Sequence, residues 1–288
     1  MQKTILITGT SNGFGKDAAI TLAAAGHRVF ATMRGVDGRN RQAAGELRAQ
    51  GITVVELDVT QDASVDAAFK TVFEQTGGRL DVLVNNAGLM IQGISETITA
   101  GQTRDMFDVN VFGIQRTTRA ALPAMRQAGT GLIVNIGSIL GRVTIPFVGL
   151  YGATKHAVEA MTESYRYELS QLGVDVVLVQ PSAYPTNLYS AHQAPADGSR
   201  EPAYGEVAAV PKAFVAYLQD LFGADGAPDP HDVAEALARL VDTPAGQRPE
   251  RVVVGNPFGA SDVNAVVKPI QAQLIEGIGM SGLSRLKV

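Results

Sequence analysis

Thr8-Gly-Thr-Ser-Asn-Gly-Phe-Gly15 follows the apolar run Lys3–Thr8 and opens a small-residue stretch that continues to about Ala25. The expected order is therefore a strand, a glycine-rich turn and a helix. Free N–H groups and the helix dipole make the start of such a helix a binding site for phosphate. The glycines follow G-x-x-x-G-x-G rather than the commoner G-x-G-x-x-G. The turn could be only a tight connection, but within a βαβ unit it favours binding of a dinucleotide pyrophosphate.

The same alternation of strand and helix continues along the chain. Apolar runs predict further strands at His27–Thr32, Ile52–Leu57, Leu80–Val84, Gly131–Ile136, Val174–Val179 and Arg251–Gly255. Amphipathic stretches predict helices at about Asn40–Gln50, Asp62–Thr76, Thr103–Gln127, Tyr151–Leu172, Glu206–Phe222 and His231–Asp242. Near-continuous apolar strands are typical of a parallel sheet that is covered on both faces. We therefore expect an α/β fold, a Rossmann-like doubly wound parallel sheet of about seven strands, with residues 1–288 in a single domain.

Two segments depart from this rhythm. Residues 184–226 carry four prolines in a loop-like composition, and long insertions in compact domains are usually binding loops or lids. We expect this segment to be a substrate-binding insertion. Residues 257–288 form a C-terminal tail that is expected to be helical after Ser261.

Composition excludes several classes of function. The chain of 288 residues carries a formal net charge of −4, which argues against a general affinity for nucleic acid or an anionic membrane. It has no cysteine, so disulfides and thiolate metal sites are ruled out. Its histidines show no spacing that makes a metal site, and they are His27, His156, His192 and His231. The N-terminus enters a strand directly, and no apolar run approaches ~18 residues. We expect a cytoplasmic protein without a metal.

Tyr151-Gly-Ala-Thr-Lys155 carries a candidate catalytic pair. In a helix, a four-residue separation places both side chains on one face. A nearby cation favours a phenolate and lowers the pKa of a tyrosine from its usual value of about 10. Such a phenol can exchange protons with an alcohol or a carbonyl at neutral pH. Ordinary surface pairs share this spacing, so the interpretation depends on the residues upstream.

The other unusual residues collect at the carboxyl ends of the predicted strands. In chain order they are Gly9, Gly13 and Gly15, then Arg34, Asp58, Asn85–Gly88, Ser138 and Pro181–Thr186. Ligands of open parallel sheets bind outside this edge. A purely structural origin would scatter such residues over both ends of the sheet, so we expect one binding site here.

Arg34 favours one dinucleotide over another. At the end of the second strand, an acid would hydrogen-bond the ribose 2′-hydroxyl of NAD, whereas an arginine accommodates the 2′-phosphate of NADP. The chain reads Phe30-Ala-Thr-Met-Arg34, and the next acid is Asp37. Arg34 could also be a solvated surface charge. We expect NADP(H) to be preferred, with NAD(H) possible.

These motifs resemble those of the short-chain dehydrogenase/reductase family, in the family's order, from about Lys3 to Thr186. The resemblance implies a catalytic tetrad of Asn110, Ser138, Tyr151 and Lys155. It also implies that the cofactor is bound by Gly9, Ser11, Asn12, Gly13, Phe14, Gly15, Arg34, Asp58, Val59, Asn86, Ala87, Gly88, Tyr151, Lys155, Pro181 and Thr186. The chain departs from the family where Ser182 follows Pro181, because the family usually has glycine there. The extra side chain could alter how the backbone approaches the nicotinamide.

A mechanism is implied by the same resemblance. Ser138 and Tyr151 would hydrogen-bond the substrate carbonyl while hydride arrives from the nicotinamide, and Tyr151 would then supply the proton. Lys155 would lower the pKa of Tyr151 and hold the nicotinamide ribose, and Asn110 would position a water that links Lys155 to solvent. The expected function is an NADP(H)-dependent oxidoreductase acting on a carbonyl or a secondary alcohol.

Apolar and aromatic side chains predict the class of substrate. The expected pocket wall consists of Met90, Ile91, Ile139, Leu140, Val143, Phe147 and Val148, with Tyr184, Leu188, Tyr189, Tyr204, Val207 and Phe214 from the insertion. No arginine cluster is evident there to bind phosphate or several carboxylates. A lipophilic ketone, aldehyde or secondary alcohol is expected, although many of these side chains could simply pack in the core.

Two long predicted helices indicate self-association. Thr103–Gln127 and Gly152–Leu172 carry small residues that would permit close helix approach, namely Ala120, Ala121, Ala153, Ala157 and Ala160. The family that the chain resembles often dimerises through the corresponding helices, so a homodimer or a homotetramer is expected. Packing within one subunit would explain the same alanines.

Two other classes of function use a similar cofactor site or similar catalytic residues. An epimerase or dehydratase that retains its NAD(P) can employ the same tyrosine and lysine, but it would show a different glycine spacing and a larger C-terminal domain. A non-enzymatic NADP-sensing regulator need not keep an intact set of catalytic residues. The sequence therefore favours the oxidoreductase.

Overall fold

The computed structural model describes residues 1–190 and 193–288, so His192 lies outside the described residues. The strands are β1 Thr4–Thr8, β2 Arg28–Met33, β3 Thr53–Glu56, β4 Val82–Asn85, β5 Gly131–Ile136, β6 Val174–Pro181 and β7 Arg251–Val254. They form one sheet in the order β3-β2-β1-β4-β5-β6-β7, and every neighbouring pair is parallel. The reversal of strand order between β1 and β4 is the position where open parallel sheets bind ligands.

Helices cover both faces of this sheet. They are α1 Gly13–Ala24, α2 Arg41–Ala49, α3 Asp62–Thr76, α4 Ala100–Phe107, α5 Gly113–Ala128, α6 Gly149–Ser170, α7 Asn187–Ser190, α8 Val210–Gly223, α9 His231–Asp242 and α10 Ala260–Gly277. The expected doubly wound α/β fold is therefore confirmed.

The hydrophobic core has two layers because successive side chains of a strand point to opposite faces. Ile5 and Ile7 of β1 pack in one layer with Leu22 of α1. Leu6 packs in the other layer, with Val72 of α3. All five of these aliphatic side chains are fully buried. Burial on both faces explains why the strands read as continuous apolar runs rather than as alternating patterns.

The helix predicted at about Thr103–Gln127 begins earlier, at Ala100, and contains a π-helical turn. The chain forms α4, a π-helical turn at Asp108–Phe112 and then α5. The turn lies tightly against the loop that follows β3, because a Cβ added to Gly113 would lie 2.9 Å from Val59 Cγ2. Single π-turns inside helices frequently occur at functional sites.

The insertion and the tail both contain helices. Residues 184–226 hold α7, a 3-10 segment at Gly198–Ala209 and α8, while the tail holds α10. No α-helix in the described part of the chain combines the length and the apolar character needed to cross a bilayer. The division into one domain with a substrate-binding insertion stays a prediction.

Candidate functional site

A cleft of about 450 Å³ opens at the carboxyl edge of the sheet. It brings together three of the four predicted catalytic residues, Ser138, Tyr151 and Lys155. Most of the predicted cofactor-binding residues line it as well, namely Gly9, Ser11, Asn12, Gly13, Phe14, Arg34, Asp58, Val59, Asn86, Ala87, Gly88, Pro181 and Thr186. Asn110 and Gly15 are not among the lining residues.

Hydrogen bonds hold the glycine-rich turn against the loop after β4. Thr8 Oγ1 accepts hydrogen bonds from the backbone N–H groups of Asn86 and Ala87, each at 3.0 Å. Asn86 Nδ2 donates to the carbonyls of Thr8 and Gly9 at 2.9 and 3.0 Å. Gly9 has φ +70, and a Cβ at this position would lie 2.8 Å from Ala87 Cα. Only glycine allows the two loops to approach this closely.

Gly15 lies outside the cleft and packs under the contact between the glycine-rich turn and the loop after β4. A Cβ at Gly15 would overlap Asn86 Nδ2 and would lie 2.5 Å from the Gly9 carbonyl oxygen. The residue is buried in the first turn of α1. Its effect on a dinucleotide is therefore indirect, since it sets how closely α1 packs against the loop after β4.

Arg34 and Asp58 form an ion pair at one end of the cleft. Arg34 Nη1 lies 3.7 Å from Asp58 Oδ2, and both side chains are partly exposed. Burial alone would raise the pKa of Asp58. Hydrogen bonds from Thr60 and the charge of Arg34 outweigh burial, and the pKa of Asp58 lies below its ordinary value. Asp58 is thus a carboxylate at neutral pH. Because the Arg34 side chain is 49% exposed, it can still contact a phosphate.

Arg39 is a residue of this cleft that the sequence did not reveal. The loop after β2 folds back on itself, because Asn40 Nδ2 donates to the Arg34 carbonyl at 2.6 Å and Asn40 N donates to the Gly35 carbonyl at 3.0 Å. This turn brings Arg39 into the lining of the cleft beside Arg34. A second guanidinium at this end strengthens the attraction for a phosphate group.

Ser138 and Tyr151 place two hydroxyl groups in contact. Ser138 follows β5 and caps a short 3-10 turn, where its Oγ accepts a hydrogen bond from Leu140 N at 3.1 Å. Tyr151 is the third residue of α6 and is 6% exposed. Burial and the neighbouring Tyr189 phenol raise the pKa of Tyr151 above its ordinary range, and a hydrogen bond with Ser138 opposes this only in part.

Lys155 lies beside Tyr151 but does not lower its pKa in this structure. Its Nζ is buried, donates to the Ile136 carbonyl at 2.9 Å and lies 5.6 Å from the centre of the Tyr151 ring. Burial lowers the pKa of Lys155 itself to about 8. The pKa of Tyr151 is raised rather than lowered here, because burial of the phenol has the largest effect on it.

Asn110 connects three elements around the cleft. Its Oδ1 accepts from Leu89 N at 2.7 Å, and its Nδ2 donates to the Leu89 carbonyl at 2.8 Å and to Thr154 Oγ1 at 3.0 Å. Thr154 in turn donates to the Tyr151 carbonyl at 2.7 Å. Both donors of the amide are used, so a water held by Asn110 would bind its main chain or the second lone pair of Oδ1.

Ser182 is accommodated by a glycine on the neighbouring strand end. Its N–H donates to the Val254 carbonyl at 2.9 Å and extends the pairing of β6 with β7. A Cβ at Gly255 would overlap the Ser182 hydroxyl oxygen, so glycine there provides the space for it. The side chain that distinguishes this chain from the family pattern is thus packed against Gly255.

The substrate side of the cleft differs from the predicted wall. Met90, Leu188 and Tyr189 line it as expected. Tyr184 does not, because it is fully buried against Phe14, with ring centres 5.5 Å apart, and donates to Asp232 Oδ2 at 3.1 Å. Tyr204 instead donates to Glu96 Oε2 at 2.8 Å near the surface, outside the cleft.

Residues 1–190 and 193–288 contain no cluster of side chains with the composition of a metal site. Nowhere in these ranges do three or more histidine, aspartate or glutamate side chains converge where they could hold an ion.

Comparison with known proteins decides the family. Residues 3–196 match the model of the short chain dehydrogenase family. The chain belongs to this family. It is 33% identical to the uncharacterized oxidoreductase YusZ of Bacillus subtilis, over 83% of this chain and 84% of that protein. It is 39% identical to the 3-ketodihydrosphingosine reductase of Bacteroides thetaiotaomicron, over 63% of this chain and 64% of that enzyme.

Solved structures of short-chain dehydrogenases share the fold. One from Streptomyces avermitilis is 33% identical, covers 96% of both chains and superimposes with a TM-score of 0.77. A protein from Burkholderia phymatum in complex with NAD is 26% identical over 94% of this chain and 95% of its own, with a TM-score of 0.75. An alcohol dehydrogenase from Thermococcus sibiricus, complexed with 5-hydroxy-NADP, is 28% identical over 88% and 96%, with a TM-score of 0.69. The chain is thus an oxidoreductase of a family whose members bind nicotinamide dinucleotides.

Proposed function

We propose that this short-chain dehydrogenase uses NADP(H) to interconvert a lipophilic ketone or aldehyde with its alcohol, and that Tyr151 is the acid and base. The observation that carries the proposal is the buried Tyr151 phenol, hydrogen-bonded with Ser138 and next to a buried Lys155, in the same cleft as the glycine-rich turn. The apolar residues Met90 and Leu188 in that cleft favour a lipophilic substrate.

The residues fit a dinucleotide along the length of the cleft. Gly9 and Gly13 have positive φ and leave the backbone of the turn open to a pyrophosphate, while Arg34 and Arg39 lie at the end that suits a 2′-phosphate. Bound there, the reduced nicotinamide supplies the hydride. Thr186 lies near Gly13, since a Cβ at Gly13 would contact Thr186 Cβ at 3.7 Å, so it would contact a dinucleotide bound at the glycine-rich turn.

Ser138 and Tyr151 would polarise the substrate carbonyl through two O–H groups aimed at one oxygen. The raised pKa of Tyr151 keeps its proton in place at neutral pH, so the phenol can donate it to the alkoxide that forms on reduction. In the reverse direction the same phenolate would take the proton of the alcohol. Lys155 would stabilise the phenolate left behind.

A substrate panel tests the proposed function. Purified protein is expected to consume NADPH when aromatic or alicyclic ketones are added, in stoichiometric amounts with the alcohol formed. Stoichiometric consumption distinguishes this activity from an epimerase or dehydratase that retains its cofactor and from a regulator without turnover. Reaction only with phosphorylated or polyanionic carbonyls would contradict the lipophilic substrate class.

Arg34→Asp is expected to reverse the choice of cofactor. Loss of a charge-assisted contact with the 2′-phosphate should raise the Kd for NADPH by about tenfold to a hundredfold, with little change for NADH. Arg41→Ser provides the matched control, because Arg41 lies in the same region but donates to the Asp37 carbonyl at 3.0 and 2.6 Å. An NADPH preference that survives Arg34→Asp unchanged would refute this assignment.

Homodimerisation through α5 and α6 stays a prediction. Ala121 is fully buried within the subunit, so it cannot serve an interface, whereas Ala153 and Ala160 are exposed on α6. Phe112, next to the start of α5, is 48% exposed. These exposed residues support the predicted dimer, and sedimentation at several protein concentrations would test it.

A further inference from the structure

A second cavity, of about 270 Å³, adjoins the cleft beneath helix α8, and we call it the α8 cavity. Helix α8 contributes Val215, Leu218 and Phe222 to its wall. Thr186, Asn187 and Tyr189 line both the α8 cavity and the cleft that holds Tyr151. The two spaces therefore share these residues as a common wall, and a molecule that passed Tyr189 from the Tyr151 side would enter the α8 cavity.

The wall of the α8 cavity is suited to an uncharged group. None of the described residues that line it is charged, and the surface it presents is mostly apolar. Tyr189 and Phe222 pack edge to face with ring centres 5.5 Å apart, so an aromatic contact joins α7 to α8 at the wall. An ionised substrate group would lose its hydration here without finding a partner.

Gln92 is one of the polar residues in this mostly apolar wall, with Thr186, Asn187 and Gln219. The residue is 5% exposed, and its Nε2 has no hydrogen-bond partner within the described ranges. An unpaired buried donor costs free energy, and native proteins contain few of them. Part of the Gln92 side chain lines the α8 cavity, so a rotation that turned the amide toward the cavity would let an acceptor atom there satisfy it.

The backbone around Gln92 is fixed on both sides. Ile91 forms a parallel β-bridge with Gln193 of the insertion, and Gly93 N donates to the Phe147 carbonyl at 2.8 Å. Gly93 also packs so closely that an added Cβ would overlap Pro195. These contacts hold the backbone of Gln92 beside the α8 cavity, so only its side chain would have to reorient when a ligand binds, which limits the entropic cost.

We propose that the α8 cavity receives the distal part of the substrate and that Gln92 selects substrates with an uncharged acceptor oxygen there. The substrate is then a ketone or aldehyde whose apolar body reaches from Tyr151 past Tyr189 and carries a hydroxyl, carbonyl or ether oxygen at its far end. This inference rests on the proposed carbonyl reductase activity and specifies its substrate class.

Gln92→Met tests the proposal with paired substrates. Straight-chain methyl ketones of increasing length are compared with the same ketones bearing a terminal hydroxyl. For the wild-type protein, kcat/KM is expected to favour the hydroxyketone by about tenfold at the length that reaches the α8 cavity, the effect of one hydrogen bond. Gln92→Met should remove that preference and leave activity on the plain ketones within about twofold. Gln127→Met, at an exposed position near the end of α5, should leave the preference intact.

Thermal unfolding gives a readout that does not depend on turnover. Because Gln92 Nε2 bonds to no described protein group, Gln92→Met should not lower Tm, and the hydroxyketone should raise the Tm of the wild type but not of the variant. A lower Tm for Gln92→Met, or an unchanged preference for the hydroxyketone, would overturn the proposal.

The two hypotheses fail in different ways. If the wild type reduces ketones but Leu218→Trp, which should fill the α8 cavity, does not selectively impair long substrates, the inference fails and the reductase activity stands. If no ketone is reduced, the proposed function fails. The ligand-induced change in Tm then decides whether Gln92 binds an acceptor oxygen.

Discussion

Tyr151→Phe is expected to lower kcat for carbonyl reduction by about a thousandfold or more, while the Kd for NADPH changes by no more than about twofold. The substitution removes only the hydroxyl group, so the ring keeps its packing with Met90 and Ile91 in the apolar cluster around it. It eliminates both the proton donor and the hydrogen bond with Ser138. Steady-state kinetics and fluorescence titration of NADPH would measure the two effects separately.

Tyr189→Phe provides the matched control for that result. Tyr189 is the other tyrosine that lines the cleft, and burial raises its pKa to about 12. The phenol that is hydrogen-bonded with Ser138 and assigned as the acid is that of Tyr151, so the Tyr189→Phe variant should retain most of the activity. If Tyr189→Phe abolished turnover and Tyr151→Phe retained it, the assignment of the acid would be reversed.

Gly15→Ala is expected to reduce the free energy of unfolding by about 2 to 3 kcal/mol and to abolish tight binding of NADPH. The added methyl group would overlap Asn86 Nδ2 and would lie 2.5 Å from the Gly9 carbonyl oxygen. Asn86 Nδ2 and the Gly9 carbonyl cannot move apart without losing hydrogen bonds, since Asn86 Nδ2 donates to the carbonyls of Thr8 and Gly9. Urea-induced unfolding would measure the first effect and calorimetric titration the second.

Gly45→Ala tests whether that loss is specific to the glycine-rich turn. Gly45 lies within α2, and nothing stands within 4 Å of an added Cβ. Replacing a glycine in a helix interior should stabilise the protein by about 0.5 to 1 kcal/mol, because alanine loses less backbone entropy on folding. Equal effects of the two substitutions would contradict the close packing of Gly15 against Asn86.

The sequence predicted much of the fold because the apolar residues that mark each strand and helix are the ones buried in the core. The helix Asp62–Thr76 and the strand Gly131–Ile136 have the predicted bounds. The polar residues at the carboxyl ends of the strands meet in one cleft, since parallel strands place those ends at one edge. Helix periodicity also predicted that Tyr151 and Lys155 would be neighbours.

The remaining features depend on contacts that are distant in sequence. The π-helical turn before α5 lies where Asn110 forms hydrogen bonds with Leu89 and Thr154, which belong to other elements. Arg39 reaches the cleft only because the loop after β2 folds back on itself. The raised pKa of Tyr151 reflects burial, which the Tyr-x-x-x-Lys spacing does not report. Gln92 gave no sequence signal, because only packing shows that its amide is unpaired.

Isotope transfer is the most direct test of the central claim that this cleft carries hydride from NADPH to a carbonyl carbon while Tyr151 supplies the proton. The protein would be incubated with a lipophilic ketone and NADPH in which both hydrogens at C4 of the nicotinamide are deuterium, and the alcohol would be analysed by mass spectrometry. We predict that the wild type forms alcohol with one deuterium on the carbinol carbon and that Tyr151→Phe forms almost none. Alcohol without deuterium, or deuterated alcohol formed equally well by Tyr151→Phe, would contradict this mechanism.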